Sequence, residues 1–362
     1  MEGYLAIEDG TILRGETFGA RGKSFGELIF NTSMTGYQEI LYDPSYKGQI
    51  VVMTYPLIGN YGVNEEDVES GKIHLEGFVI RERSRIYSNW RATKPLDLLL
   101  YEHGIIGIDG IDTRRITLML REKGALRGAI FTEKKSRPQM MKELEKAPGI
   151  VGVDLVKEVS AKKTFTWSGQ GKYKVVVLDC GVKFNTLRLL ASRNFRVTVM
   201  PPDVPWQEIV KESPDGILVS NGPGDPSAVP YIVGTISNVI ERYPVFGICF
   251  GIQLIAQVFG GKTYKLKFGH HGANHPVMDL AAGKVLITVQ NHGFCVDIST
   301  LEKNDIETTH INLNDNTLEG LAHRKLPVFA VQSHPEHAPG PTDSVYLFDK
   351  FSRMVEKHGK EN

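Results

Sequence analysis

The second half of the chain alternates apolar segments typical of buried strands with segments whose apolar residues recur at helical spacing. Tyr173–Leu178 is an apolar run, as expected of a strand buried on both faces of a parallel sheet. Phe195–Met200, Gly216–Ser220 and Val245–Ile248 are predicted as further strands. Strands that alternate with helices of about ten residues indicate βαβ units. We therefore predict an α/β fold with a doubly wound parallel sheet.

Amphipathic helices are predicted between these strands and at the end of the chain. Asp203 and Pro205 indicate the start of one of them, as its cap and its first turn. The apolar residues at helical spacing are Leu187, Leu190 and Ala191, then Ile232, Ile236 and Ile240, and, after Ser344, Phe348, Phe351 and Val355.

The first part of the chain has a different pattern. Short alternating segments, Tyr4–Ile7, Gln49–Met53 and Phe78–Ile80, are separated by glycine-rich turns. One helix is predicted at Thr113–Lys123 and ends at Gly124, a residue typical of the position after a helix. We predict a strand-rich mixed α/β domain over residues 1–150.

The length of 362 residues favours two domains, since domains contain roughly 150 residues on average. A helix-like stretch at Gln139–Lys146 gives way to Pro148-Gly149 and then to the polar run Ser160–Lys172. We take residues 151–172 as a linker and residues 173–362 as the second domain.

Composition excludes several classes of protein. Lys+Arg and Asp+Glu are 42 each, so the net charge is zero, which argues against binding nucleic acid or an anionic membrane by bulk electrostatics. The three cysteines are widely spaced and suit a reducing compartment better than a disulfide framework. No secretory signal is visible, and the uncharged stretch Tyr243–Gly261 is better explained as a buried strand followed by a helix than as a membrane span. We expect a cytoplasmic protein.

The strongest chemical signal lies at Phe246–Gln253. A buried strand ends at Cys249, glycines stand two residues before and two residues after it, and a helix starts at once. This is the nucleophile-elbow pattern with cysteine in place of serine, in which the unpaired N–H groups of the helix favour a thiolate. The N–H of Phe250 is expected to face the oxyanion of a substrate. Cys180 and Cys295 lack this context and are interpreted as packing residues.

A catalytic thiolate needs a proton-transfer partner, usually histidine. His334-Pro335-Glu336 places two functional side chains two residues apart, and in extended chain these point the same way. Glu336 would then fix the imidazole tautomer while the other nitrogen faces Cys249, which completes a triad. The histidines at 270, 271 and 275 form the competing candidate, a metal site, but no carboxylate stands at ligand spacing, so we expect no metal.

Three further segments are candidates for binding a substrate. Gln253 lies one helical turn after Cys249, on the same face. Ser220–Pro226 follows a strand, at the sheet edge where open α/β folds bind ligands, and Gly224 is a candidate second oxyanion donor. Gln290–Phe294 is ambiguous alone. The absence of phosphate-loop and dinucleotide motifs leaves unaided acyl transfer to water.

The motifs Gly222–Gly224, Gly247–Gln253 and His334–Glu336 resemble those of the class I, or triad, glutamine amidotransferases. Phe30–Ile40, Asp43–Tyr46 and Gly107–Arg114 narrow this resemblance, which covers nearly the whole chain, to the small subunits of carbamoyl-phosphate synthase. The resemblance implies a ligase complex in which this chain hydrolyses glutamine to glutamate and ammonia. A large synthetase subunit then uses the ammonia, ATP, Mg and bicarbonate to make carbamoyl phosphate for pyrimidine and arginine biosynthesis.

By position, the resemblance implies Cys249 as nucleophile with His334 and Glu336 as its partners, and no cofactor in this chain. The implied L-glutamine-binding residues are Ser45, Gly222, Gly224, Phe250, Gln253, Asn291, Gly293 and Phe294. Ser45 would place part of the site on the N-terminal domain, which we expect to carry a large, partly apolar interface with the partner. Ile252 stands where many relatives have histidine, outside the triad.

Two other functions remain open at this point. The first is a free-standing thiol hydrolase of γ-glutamyl peptides on the same fold, which leaves the first 150 residues without a purpose. The second is a regulatory scaffold that keeps the fold without the chemistry. The intact Cys249, His334 and Glu336 argue against a scaffold.

Overall fold

A computed structural model describes residues 1–301 and 305–361. The described chain falls into two compact units: Met1–Val153 together with Lys267–Gly272, and Asp154–Leu266 together with the described residues from Ala273 onward. The segment predicted as a linker contains a short helix at Val156–Val159 and a strand at Phe165–Ser168. The predicted domain boundaries at 150 and 172 stay predictions.

The first unit is built on a closed β-barrel. Its strands are β1 (Glu2–Ile7), β2 (Ile12–Gly19), β3 (Lys23–Asn31), β4 (Gln49–Met53), β5 (Leu57–Ile58), β6 (Gly77–Val79), β7 (Glu82–Arg83), β8 (Ile106–Asp109) and β9 (Leu126–Phe131). Seven of these strands close the barrel in the order β1-β2-β8-β6-β4-β3-β9, and β5 and β7 form a separate pair. Its helices are α1 (Tyr37–Tyr42), α2 (Leu96–Glu102), α3 (Thr113–Lys123) and α4 (Arg137–Glu145).

Alternation along the barrel strands creates two apolar faces. Ile50 and Val52 of β4 pack with one buried cluster, which includes Ile116 of α3, while Val51 packs with the other. Helix α3 has the predicted bounds, because the Asp112 side chain accepts a hydrogen bond from the Arg115 N–H at its start and Gly124, at φ 95°, ends it.

The second unit contains a ten-stranded sheet with helices on both faces. Its strands are β10 (Phe165–Ser168), β11 (Tyr173–Leu178), β12 (Phe195–Met200), β13 (Gly216–Val219), β14 (Val245–Ile248), β15 (Lys262–Asp279), β16 (Lys284–Asp297), β17 (Ile306–Asn312), β18 (Leu318–His323) and β19 (Val328–Val331). Its helices are α5 (Val156–Val159), α6 (Phe184–Ser192), α7 (Trp206–Lys211), α8 (Pro230–Val239), α9 (Phe250–Val258) and α10 (Tyr346–Glu361).

The strand order is β10-β12-β11-β13-β14-β19-β18-β17-β15-β16. The central strands β12, β11, β13, β14 and β19 are parallel, and antiparallel strands extend the sheet on either side. Val175 and Val177 of β11 face the cluster that contains α6 and α10, whereas Val176 and Leu178 face the cluster that contains α8 and α9. Because helices cover both faces of the sheet, these strands are almost wholly apolar.

Most of the predicted elements of this unit are confirmed. β11, β12 and β14 have the predicted bounds, and α9 follows β14 directly. The predicted start of α7 is wrong in one respect: Pro205, and not Asp203, occupies the cap position, and no side chain caps this helix. The last helix begins at Tyr346. No helix in the two described stretches is both long and apolar enough to cross a membrane.

The junction of β14 and α9 is packed too closely for side chains at its glycines. A Cβ atom at Gly251 would lie 2.3 Å from the backbone oxygen of Val219, on the neighbouring strand β13. A Cβ at Gly247 would lie 2.6 Å from Ile255 Cδ1 and 3.0 Å from Ala330 Cβ. The two glycines therefore set how closely the turn at Cys249 approaches its neighbours.

We predict opposite effects of two Gly→Ala substitutions in this unit. Gly251→Ala is expected to lower the unfolding free energy by about 1–3 kcal/mol, because the backbone of β13 must move. Gly234→Ala, in an exposed helical position of α8 with open space around it, is expected to raise it by about 0.5–1 kcal/mol. Thermal unfolding of the full chain measures both. Equal midpoints for the two variants would contradict the close approach.

Candidate active site

Cys249 sits at the strained turn between β14 and α9. Its backbone has φ 52° and ψ −100°, a conformation that side-chain-bearing residues rarely adopt. The turn is held because the Cys249 N–H donates to the Val331 carbonyl of β19 at 2.8 Å. The side chain is buried, with 1% of its surface exposed. The structure therefore places the sulfur at the carboxyl edge of the parallel strands, where open α/β folds bind ligands.

Two polar groups contact the Cys249 sulfur. The thiol donates to the backbone oxygen of Asn291 on β16, with 3.6 Å between Sγ and O. The side-chain Nε2 of Gln332 donates to Sγ, also at 3.6 Å. Gln332 was not among the residues that the sequence analysis singled out, although it stands two positions before His334.

His334 and Glu336 are brought together by a turn. The expectation that they lie on one face of an extended strand is wrong: β19 ends at Val331, and the His337 N–H donates to the His334 oxygen across the turn. The imidazole Nδ1 nevertheless lies 2.6 Å from Glu336 Oε1. The Glu336 carboxylate therefore fixes which imidazole nitrogen is left to face outward.

Burial and charge act in opposite directions on the His334 imidazole. Burial alone would lower the pKa of His334, but the charge of the Glu336 carboxylate and then the Cys249 side chain outweigh it and raise the pKa to about 10. His334 Nε2 makes no hydrogen bond of standard geometry to any described residue, although the sulfur is close enough to affect its pKa. Such contacts are often loose before substrate binds.

Lys183 completes the buried network and was missed by the sequence analysis. Its Nζ lies 3.0 Å from Glu336 Oε1, and the two side chains are 1% and 0% exposed. Nζ also donates to the His337 backbone oxygen. Burial opposes ionisation of Glu336, but Lys183 and then His334 outweigh it and lower the pKa of this carboxyl to about 2. The available signal in the sequence was a lysine soon after the carboxyl end of β11, the strand that pairs with β13.

The other residues of the second unit that were predicted to bind substrate lie on α9, in the turn after β13 and on β16. Gln253 of α9 donates from Nε2 to the Phe294 oxygen of β16 at 2.8 Å and to Gln332 Oε1 at 3.1 Å. Gly222 and Gly224 follow β13, which is paired with β14. The remaining predicted residues of this unit are Phe250 at the start of α9 and Asn291, Gly293 and Phe294 on β16.

Two glycines of the turn after β13 are required for different reasons, Gly222 by close packing and Gly224 by its backbone conformation. A Cβ at Gly222 would lie 2.5 Å from the Cys180 backbone oxygen, and Gly224 has φ 84°. Ser45 belongs to the first unit, in a 3-10 turn where its N–H donates to Asp43 Oδ1 at 2.9 Å. Cys180 and Cys295 are free and fully buried, in keeping with a packing role.

This arrangement buries a cysteine sulfur near a histidine that a carboxylate orients. A histidine fixed by a carboxylate at one nitrogen can exchange a proton at the other. The geometry suits acyl transfer through a thioester.

Matches to known proteins cover nearly the whole chain. Residues 5–130 match the family described as carbamoyl-phosphate synthase small chain, CPSase domain, and residues 176–354 match the glutamine amidotransferase class-I family. Proteins named carbamoyl phosphate synthase small chain are similar to this chain in Aquifex aeolicus (52% identity over 97% of this chain and 98% of the relative), Syntrophotalea carbinolica (50%, 99% and 99%) and Archaeoglobus fulgidus (47%, 99% and 100%).

Lys183→Met is predicted to destabilise the second unit strongly. The substitution leaves the buried Glu336 carboxylate without its lysine, and breaking one partner of a buried ion pair costs about 3–5 kcal/mol. Urea unfolding of the full chain measures the loss. Lys360→Met removes an ion pair with Glu356 that is exposed to solvent, so no measurable change is expected there.

The same variant changes the pH dependence of unfolding. Because the folded-state pKa of Glu336 is lowered from 4.5 to about 2, the ion pair stabilises fully above pH 4.5 and is lost as the pH falls towards 2. Lys183→Met is expected to reduce the loss of unfolding free energy between pH 4.5 and 2, because the ion pair is absent in this variant. An unchanged acid slope in Lys183→Met would show that Lys183 does not stabilise the carboxylate.

Proposed function

This chain belongs to the family of carbamoyl-phosphate synthase small chains, and we propose that it hydrolyses L-glutamine to glutamate and ammonia at Cys249. The observation that carries the proposal is the strained, buried Cys249 beside the His334–Glu336 pair, whose charge Lys183 balances. Few structural roles require a cysteine at positive φ next to a buried, carboxylate-bound histidine.

The reaction begins with proton transfer from Cys249 Sγ to His334 Nε2. The thiolate attacks the side-chain amide carbon of glutamine, a C–S bond forms, and the C–N bond breaks as His334 returns the proton to the leaving nitrogen. Ammonia departs and a γ-glutamyl thioester remains. His334 then takes a proton from water, whose oxygen attacks the thioester carbon. The C–S bond breaks, His334 returns the proton to Sγ, and glutamate leaves the free thiol behind.

The substrate contacts are proposed from motif positions supported by the site's geometry. The backbone N–H groups of Phe250 and Gly224 are proposed as oxyanion donors, and the absence of a side chain at Gly222 lets the turn after β13 pack against the backbone of Cys180. Residues proposed to bind L-glutamine are Ser45, Gly222, Gly224, Phe250, Gln253, Asn291, Gly293 and Phe294.

The product requires a partner. Ammonia released into neutral water becomes ammonium, which is not a nucleophile, so we propose direct transfer to the large synthetase subunit that uses ATP. Large apolar side chains on the first unit support a protein interface there: Met34, Ile86 and Trp90 are 72%, 79% and 90% exposed. The three free cysteines suit a cytoplasmic setting.

The two alternative functions are not favoured. A free-standing γ-glutamyl hydrolase gives no role to residues 5–130, which match the small-chain family. A scaffold without chemistry gives no reason for the buried charge network around Cys249, since such networks stabilise a fold poorly. Turnover of free glutamine compared with γ-glutamyl peptides separates the first alternative from the proposed function.

Cys249→Ser is expected to lower glutaminase activity by about 10³-fold or more, because removal of a triad nucleophile leaves only binding and oxyanion stabilisation. Ammonia release is measured with and without the large subunit, together with ammonia-dependent carbamoyl phosphate synthesis, which should persist in the complex. Cys295→Ala is the matched control, a buried cysteine whose loss should leave glutaminase activity intact. Retained glutaminase activity in Cys249→Ser would refute the proposal.

Trp90→Glu is expected to weaken binding of the large subunit about 30-fold, because exposed aromatic residues at interfaces often contribute 2 kcal/mol or more. Titration of the large subunit, followed on a sizing column, measures the affinity. Leu280→Glu places the same charge at an exposed apolar position of the second unit, 47% exposed, and should have little effect. Equal affinities for the two variants would remove Trp90 from the proposed interface.

A further inference from the structure

Gln332 lies beside the sulfur and is entirely buried. It follows the last residue of β19, its side chain is 0% exposed, and its backbone N–H donates to the Glu319 oxygen of β18 at 2.8 Å. Its side-chain Nε2 is 3.6 Å from Cys249 Sγ, within hydrogen-bonding distance for sulfur. A fully buried amide in contact with a reactive atom requires an explanation.

Hydrogen bonds determine which end of this amide faces the sulfur. The Phe294 backbone oxygen can only accept, so the Gln253 side chain must present its Nε2 there, at 2.8 Å. The same Nε2 donates to Gln332 Oε1 at 3.1 Å. With its oxygen engaged by Gln253, the Gln332 amide turns its N–H towards Cys249. The orientation of the Gln332 amide is thus determined by the Phe294 carbonyl, through the Gln253 amide that lies between them.

The two polar contacts of the sulfur favour opposite protonation states. The Asn291 backbone oxygen accepts a hydrogen bond and has no proton to give, so it favours the neutral thiol. The Gln332 N–H only donates, so it favours the thiolate. In the described structure the sulfur contacts both, at 3.6 Å each.

We propose that Gln332 is a further catalytic residue, whose side-chain N–H stabilises the Cys249 thiolate and holds it in place for attack. The inference rests on the proposed function of Cys249. When the proton moves from Sγ to His334 Nε2, the sulfur ceases to donate to Asn291 and its hydrogen bond from Gln332 becomes charge-assisted. Formation of the C–S bond then removes the charge, and the N–H contact weakens.

The titratable groups around the sulfur come from three elements. His334 and Glu336 follow β19, Lys183 precedes α6, and His292 lies on β16, where its Nδ1 is 2.8 Å from the Phe294 oxygen. The substitutions at Gln332 leave all of these in place. A change in sulfur ionisation in Gln332→Met would therefore come from loss of the amide, whereas Gln332→Glu also adds a carboxyl group beside the sulfur.

Two variants test the proposal in the full chain. Gln332→Met removes the N–H and the oxygen that Gln253 uses, whereas Gln332→Glu keeps an acceptor for Gln253 and removes the amide donor. The rate of iodoacetamide reaction at Cys249 is measured over roughly pH 5–10, and the modified peptide is identified by mass spectrometry. Glutaminase kcat and KM are measured on the same samples.

Both variants are expected to react about 10- to 100-fold more slowly at neutral pH, with the rise in rate moved to higher pH, because a hydrogen bond to a charged group changes an equilibrium by about that factor. In Gln332→Glu the carboxyl group also competes with the sulfur for protons. Its kcat should fall by a similar factor while KM changes little, since Gln253 keeps its acceptor. Gln332→Met should also raise KM.

Thr235→Val is the matched control. Thr235 is a buried residue of α8, and the substitution removes the hydrogen bond that its Oγ1 donates to the Val204 oxygen. Its alkylation profile should equal that of the unmodified chain. Profiles of both Gln332 variants that superimpose on the unmodified chain, or loss of folding in both, would assign Gln332 to packing and overturn the proposal. If alkylation of Cys249 in the unmodified chain leaves glutaminase activity intact, the proposed function itself fails.

Discussion

The close approach of the β14–α9 junction to its neighbours is the constraint on which the site depends. The Val219 backbone allows no side chain at Gly251, and the Ile255 and Ala330 side chains allow none at Gly247. Between these two glycines the chain must reverse within a few residues, which forces Cys249 to positive φ. The side chain of Cys249 is buried at this turn, beside the apolar cluster that contains α6 and α10.

The same edge collects groups from strands that are adjacent in space and distant in sequence. Lys183 follows β11, the glycines at 222 and 224 follow β13, Cys249 follows β14, and His334 follows β19. Because parallel strands have their carboxyl ends at the same edge of the sheet, the four segments that follow these strands lie close together without needing long loops. The antiparallel strand β16 then adds the Asn291 oxygen from the side.

The elements and the proposed triad of Cys249, His334 and Glu336 are predictable from sequence because their signals are local. The apolar runs of β11 and β14, the glycine spacing around Cys249, and Gly124 at the end of α3 each lie within a few residues. Lys183 and Gln332 were missed because their roles depend on burial and on partners far along the chain. The closed barrel of the first unit was not specified either, since pairings such as β4 with β6 are invisible to local patterns.

Charge balance explains why the buried network needs Lys183. Burial opposes ionisation of Glu336, and Lys183 contributes more than His334 to lowering the pKa of this carboxyl to about 2. Lys183 Nζ lies 3.0 Å from Glu336 Oε1, and His334 Nδ1 lies 2.6 Å from the same oxygen. The lysine thereby stabilises the charge of the carboxylate that orients the imidazole, while the Gln332 amide and the turn at Cys249 position the sulfur.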